Sequence, residues 1–245
     1  MRSRLSVVLS LACVAAAGLV HADPYGDISA LKLLKPEDKV DVKSTPAPEG
    51  AVVLFDGKNL DHWVYRNGGK PAAWELKGGA MQVKGGDIHT KEKFGGSFKL
   101  HVEFRVPYMP KASGQGRGNS GVYVQGRYEV QVLDSYGLKS RNDDCGGIYT
   151  VAAPLVNACK APTVWQSYDI DFTAPKYEGG KKVAGPVLTV YHNGVKIHDQ
   201  VKVPLNVNNT TAGMGGDPST PGPIMLQDHG NPVQYRNIWI LPKKG

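Results

Sequence analysis

The chain has 245 residues, of which 30 are Gly and 17 are Pro. That share lies well above the usual figure of about 12% and argues against long helical bundles and coiled coils. With 41% hydrophobic and only 21% charged residues, disorder is excluded as well. The formal charge is +7, but the lysines are scattered and form no basic helix or basic–aromatic stripe. Nucleic acid is therefore not an expected partner.

Residues 1–22 read as a secretory leader. Arg2 and Arg4 form a charged start, Leu5 to Val20 is apolar and Ala-rich, and Val20-His21-Ala22 has small residues where a signal peptidase reads them. Cleavage before Asp23 predicts a periplasmic or secreted protein. The apolar run is too short for a confident membrane span of about 20 residues, and no later segment is a candidate. Loss of the leader removes Cys13 and leaves Cys145 and Cys159. An even cysteine count in an exported chain predicts a disulfide between them. With no histidine nearby in sequence, the pair makes a poor zinc site.

Residues 23–49 read as an N-terminal arm and linker, with a helical turn expected within Asp27 to Leu34 and a linker composition at Ser44-Thr45-Pro46-Ala47-Pro48. The remainder, 50–245, reads as one β domain. Residues 74–76 and 80–83 form a hairpin around Lys77-Gly78-Gly79. Phe98 to Val106 alternates strictly, with Phe98, Leu100, Val102, Phe104 and Val106 on one face and Lys99, His101, Glu103 and Arg105 on the other. Residues 121–125 and 128–133 are two strands joined through Gly126-Arg127, and 165–172 is another. Asn193-Gly194 between 187–192 and 195–198 is a strong hairpin signal, since a type I′ turn needs positive φ at both central residues. Residues 233–241 supply a closing strand. Many short strands with regular turns point to a sandwich.

Four stretches carry more polar residues than a sandwich surface needs. In Gly118-Asn119-Ser120-Gly121 the glycines permit close approach of a ligand to the backbone. In residues 127–134, alternation places Arg127, Glu129 and Gln131 on one face, and Asp134 follows. Gln227-Asp228-His229 sits in a loop behind Gly222-Pro223, and histidine can move protons near neutral pH. The fourth is the polar face of the Phe98 strand. The signatures of serine hydrolases, zinc peptidases and phosphate loops are missing.

Leu54-Phe55-Asp56-Gly57-Lys58-Asn59-Leu60-Asp61-His62-Trp63 resembles the opening motif of the 3-keto-disaccharide hydrolase domain family. Gly118 to Gly121, Tyr128 to Asp134, Gly147-Ile148-Tyr149, Gly222 to Gly230 and Arg236-Asn237-Ile238 follow in that family's order, over about residues 50–242. The resemblance implies a concanavalin A-like jelly-roll sandwich of two antiparallel sheets. It also implies an exported protein whose carbohydrate substrate is a glycoside already oxidised at C3.

A C3 ketone acidifies the C2 proton. A base removes it, the C1 substituent leaves by β-elimination, and water adds back to complete net hydrolysis. On this reading Glu129 or Asp134 is the base and His229 the proton donor or shuttle. Arg105, Asn119 and Gln131 bind hydroxyls or the enolate, Tyr149 or Trp165 stacks on a ring, and Glu103, Gln227 and Asp228 complete the binding set. No cofactor is demanded. A divalent metal on Glu129, Asp134, His229 or Glu103 would be compatible, but their spacing does not require one. Two other readings stay open: a lectin-like carbohydrate-binding module, and a glycosidase with paired carboxylates.

Overall fold

A computed structural model describes residues 23–205 and 212–243; the expected leader lies outside them. The chain is built of strands. Val52–Phe55 (β1), Trp63–Tyr65 (β2), Glu75–Lys77 (β3), Ala80–Gln82 (β4), Ile88–Thr90 (β5) and Phe98–Arg105 (β6) come first. Ser120–Val124 (β7), Tyr128–Val132 (β8), Gln166–Thr173 (β9), Lys176–Glu178 (β10) and Lys181–Ala184 (β11) follow. Val187–His192 (β12), Val195–Lys202 (β13), Met225–Leu226 (β14) and Gln234–Pro242 (β15) complete the fold. No helix among the described residues is long and apolar enough to cross a membrane.

Two antiparallel sheets make the sandwich. The larger runs β13-β12-β9-β6-β15-β4-β3, with β1 paired to the far half of β15; the smaller runs β2-β5-β14-β7-β8. The long strand β15 therefore unites the start and the end of the domain, pairing β6 on one side and both β4 and β1 on the other. The expected strands all form. The expected type I′ hairpin turn does too, with φ of 53° at Asn193 and 79° at Gly194. The short strands β1, β2, β5, β10, β11 and β14 were not foreseen, since two to four residues are too few to show a period.

Alternation divides each sheet into a core row and an outward row. Phe98, Leu100, Val102 and Phe104 of β6 meet Val122 and Val124 of β7 and Tyr128, Val130 and Val132 of β8 in one hydrophobic cluster. Ring contacts such as Tyr128 with Phe172, 5.9 Å between centroids, cross the gap between sheets.

The arm takes a different form from the helical turn expected at Asp27 to Leu34. Those residues form non-helical turns, and the helical segment is a single 3-10 turn at Pro36–Lys39. Proline, which lacks an amide hydrogen, suits this first helical position. The arm lies against the outward face of the larger sheet: Val42 N donates to Trp165 O (3.0 Å) and Trp165 N to Asp41 Oδ1 (2.9 Å). Its main anchor is Glu103, fully buried. Glu103 Oε1 accepts from Ser44 Oγ (2.5 Å), Thr45 N (3.2 Å) and Asn237 Nδ2 (2.8 Å), and Oε2 pairs with Arg236 Nε at 2.6 Å. His101 stands between Glu103 and Asp169, stacked on Trp239.

The cysteines depart from expectation. Cys145 and Cys159 are brought together and buried, but as free thiols rather than a disulfide. Their sulfurs lie within 4.8 Å of each other, and the Tyr168 hydroxyl lies 3.0 Å from Cys145 Sγ. The backbone amide of Cys145 is tied to Ser135 Oγ and that of Cys159 to Asn157 Oδ1.

Burial alone would raise the Glu103 pKa, yet hydrogen bonds from His101, Ser44, Asn237 and Arg236 bring it down to about 2. Such a depressed carboxylate stabilises the fold fully above its ordinary value of 4.5, and that stabilisation fades as pH falls toward about 2. Glu103→Gln should cost about 3 kcal/mol in urea unfolding at pH 7. The gap from the parent protein should shrink steadily below pH 4.5; a pH-independent gap would show that the carboxylate charge is not what holds the arm.

Candidate active site

The outward face of the smaller sheet carries the candidate site. In the β7–β8 register Gly121 stands opposite Gln131 and Tyr123 opposite Glu129. With Val122, Val130 and Val132 in the core, Glu129 and Gln131 must face outward. Gly121 makes room for the acid: a Cβ there would sit 2.5 Å from Glu129 Oε1 and 2.7 Å from Tyr123 Cε2. The Glu129 carboxylate thus lies across the bare backbone of β7.

Residues 146–149 extend the sheet beyond β8. Gly146 N donates to Gln131 O (2.9 Å), Gln131 N to Gly147 O (2.9 Å) and Tyr149 N to Glu129 O (3.2 Å). Ile148 bridges Val130 on the core side, so alternation turns Tyr149 outward beside Glu129. Burial, with the nearby Glu129 and Asp143 carboxylates, raises the Tyr149 pKa. The phenol therefore keeps its proton.

A cavity of about 150 Å³ opens here, lined by Glu129, Gln131, Tyr149, Asn119, Gln227 and His229, together with Gln115 and Ala212. Among the described residues Glu129 is the only carboxylate in its lining. Glu129 is buried and His229 is exposed at the rim.

Two backbone carbonyls set the amide orientations on one wall. Asn119 Nδ2 lies 2.7 Å from Gln115 O, and Gln115 Nε2 lies 2.8 Å from Asp143 O. A carbonyl can only accept, so both facing atoms are nitrogens. Gln115 Oε1 then receives Asn119 Nδ2 at 3.1 Å and Gln131 Nε2 at 3.0 Å. The amide hydrogens of Asn119 and Gln131 are thereby engaged within the wall. Tyr149 and Gln227 also line the cavity.

Two arginines hold the segment over the opposite side. Arg66 donates to Ala212 O (2.6 Å) and Gly213 O (3.0 Å) and pairs with Asp87 at 3.1 Å. Asp87 Oδ1 in turn accepts Asp228 N (2.9 Å). Arg127 donates to Gly215 O (3.2 Å) and Thr220 O (3.0 Å).

Six of the residues expected at the site therefore meet: Glu129, His229, Asn119, Gln131, Tyr149 and Gln227. Five do not. Asp134 lines a separate cavity, with Arg117 Nε 3.3 Å from its carboxylate; burial raises its pKa and Arg117 opposes the rise. Glu103, Arg105 and Trp165 belong to the other sheet. There the Trp165 ring is flanked by the Arg105 and Arg236 guanidinium groups, at 4.8 and 4.2 Å. These residues face away from the smaller sheet because the core row of β6 takes the inward positions. Asp228 accepts Gly86 N (2.8 Å) and Gly230 N (2.8 Å) and so shapes the loop under His229. The four residues considered as metal ligands fall at three places, with only Glu129 and His229 in one cavity. Gln115, Arg66 and Asp87 were missed; none sits in a stretch whose composition stands out.

A family model for the 3-keto-alpha-glucoside-1,2-lyase-like domain matches residues 50–241. Among solved structures, a candidate glycosyl hydrolase from Parabacteroides distasonis ATCC 8503 is 40% identical, with a TM-score of 0.71 over 81% of this chain and 86% of its own. A second candidate glycosyl hydrolase from that organism shares the fold at 21% identity, with a TM-score of 0.58 over 86% of this chain and 99% of its own. No curated protein matches the chain.

Gly121→Ala tests the niche. The added methyl should cost about 1–3 kcal/mol through overpacking and swing the Glu129 carboxylate off β7 in a crystal structure. An unmoved carboxylate would show that Gly121 does not create its place.

Proposed function

Because the chain belongs to the 3-keto-alpha-glucoside-1,2-lyase-like domain family, we propose that this carbohydrate-active domain cleaves 3-keto-glycosides, with Glu129 as the base. The observation that carries the reading is the single carboxylate of the cavity. A glycosidase of the usual kind needs two carboxyl groups about 5–10 Å apart across the bond it breaks, and among the described residues the lining offers Glu129 alone, with the Asp143 carboxylate near Tyr149 but outside it. One base with separate proton donors suits an elimination. A lectin-like module would be favoured by a shallow aromatic platform. Here Trp165 lies on the other sheet and the acid is buried.

In the proposed reaction Glu129 takes the C2 proton of the keto sugar. The C2–H electron pair forms the C1=C2 bond as the C1–O bond breaks. His229, at the solvent rim, supplies the proton that the leaving oxygen takes up. Tyr149, kept protonated, donates to the developing enolate, and such preorganised donors act strongly in a dry site. Addition of water across C1=C2, with hydroxyl to C1 and proton to C2, completes net hydrolysis. Asn119 and Gln131 shape the wall through Gln115. We assign the domain to the periplasm or the exterior of the cell on the composition of residues 1–22 alone.

The test uses a 4-nitrophenyl glucoside and its 3-keto form. Only the keto form should release nitrophenol. Glu129→Gln should lower that turnover by a factor of about 10² or more while circular dichroism stays unchanged, and Asp134→Asn should retain it. Equal cleavage of the unoxidised glucoside would overturn the proposal in favour of an ordinary glycosidase.

A further inference from the structure

A second chemical cluster lies inside the sandwich, apart from the sugar cavity. Cys145 Sγ, Cys159 Sγ and a ring nitrogen of His192 all lie within 4.8 Å of one another, and all three residues are buried. They come from distant parts of the chain. The cysteines belong to the long segment between β8 and β9, and His192 is the last residue of β12. Local sequence therefore gives no sign of the histidine.

The protonation of His192 can be read from its partners. Gln166 Oε1 accepts the Lys160 backbone amide at 2.8 Å, so it is an oxygen. His192 Nε2 lies 3.0 Å from that oxygen and must carry its hydrogen. The neutral ring then has its lone pair on Nδ1. Metal-binding histidines commonly donate one ring N–H to a fixed oxygen and coordinate through the other nitrogen.

We propose that Cys145, Cys159 and His192 bind a thiophilic d10 cation, Zn(II) or Cu(I). Thiolate and imidazole donors select such ions. Bonds of about 2.3 Å to sulfur and about 2.0 Å to nitrogen bring ligand atoms to roughly 3.5–4 Å of one another. Small side-chain adjustments suffice to reach that geometry from a set already within 4.8 Å. Binding forms two metal–sulfur bonds and one metal–nitrogen bond and releases the two thiol protons. Two thiolates with Zn(II) and a neutral imidazole make an uncharged unit, which an apolar core tolerates. Cu(I) is satisfied by three donors, whereas Zn(II) takes water as a fourth. Cys159 lines a groove of about 480 Å³ whose lining also includes Lys35, Glu37, Asp38 and Lys160. The site is independent of the sugar chemistry.

The full chain, purified without chelator and handled without air, should be analysed for zinc and copper by mass spectrometry. Metal-free protein should then be titrated with Zn(II) against pyridylazoresorcinol and with Cu(I) against bicinchoninate. One equivalent of one of these ions should bind, raise Tm and slow alkylation of Cys159 at least tenfold. The arm that saturates identifies the ion. Cys159→Ala and His192→Phe should each weaken binding about a hundredfold or more. Loading the unaltered chain with Co(II) needs no variant and should give a thiolate-to-cobalt charge-transfer band. Absence of saturable binding of both ions, absence of the cobalt band from a chain whose zinc arm saturates, affinity unchanged by Cys159→Ala, or isolation of Cys145 and Cys159 as a disulfide would each overturn the proposal.

Discussion

Burial of Val122, Val124, Tyr128, Val130 and Val132 between the sheets is the constraint on which the candidate site rests. Side chains on a strand alternate, so moving β8 by one residue would exchange its two rows. Four fully buried valines and a tyrosine across β7 and β8 make that exchange prohibitive, since each large apolar side chain contributes about 1.5–3 kcal/mol when buried. Glu129 and Gln131 are outward because their neighbours cannot be. The acid is thus placed by the hydrophobic effect, and Gly121 gives it a surface to lie against.

Around that acid the structure supplies rigidity. Gln115 gathers the amides of Asn119 and Gln131, and its own orientation is set by a backbone carbonyl. Arg66, Asp87 and Asp228 link the segment at Ala212 to the loop carrying His229. Ser120 extends the link through the core, receiving the Tyr235 hydroxyl of the larger sheet and donating to Gln227 O. Groups held in this way need little rearrangement when charge develops in a bound sugar, and that is where electrostatic catalysis gains its advantage.

The strands with five or more residues were legible because they display a period, and the Asn193-Gly194 turn because its backbone needs those residues. Of the short strands only β3 and β4 were, through the glycine turn between them; the pairing of the others depends on tertiary neighbours. At the site, Glu129, Gln131 and Tyr149 were legible from alternation and motif order. The misplacement of Glu103, Arg105 and Trp165 has one cause. Alternation reveals that β6 has a polar face, but not which side of the sandwich that face looks toward. The topology decides this, by setting β6 in the middle of the larger sheet. His192 was invisible for a related reason: only the pairing of β12 with β9 brings it to the cysteine-bearing segment.

The two buried glutamates show how surroundings separate structure from chemistry. Glu103 is met by a hydroxyl, a backbone amide, a side-chain amide and a guanidinium, with His101 alongside. A carboxylate so fully satisfied is held ionised to about pH 2 and is a poor proton acceptor. Its work is to fasten the arm and the bulge of β15 to the larger sheet. Glu129 instead borders an open cavity, with a phenol beside it and an imidazole at the rim. Proton abstraction requires a carboxylate that a substrate can reach and whose basicity has not been quenched by several charged or strong donors. Of the buried acids on β6 and β8, the one lying over Gly121 meets the requirement of access. The one beneath the arm meets neither.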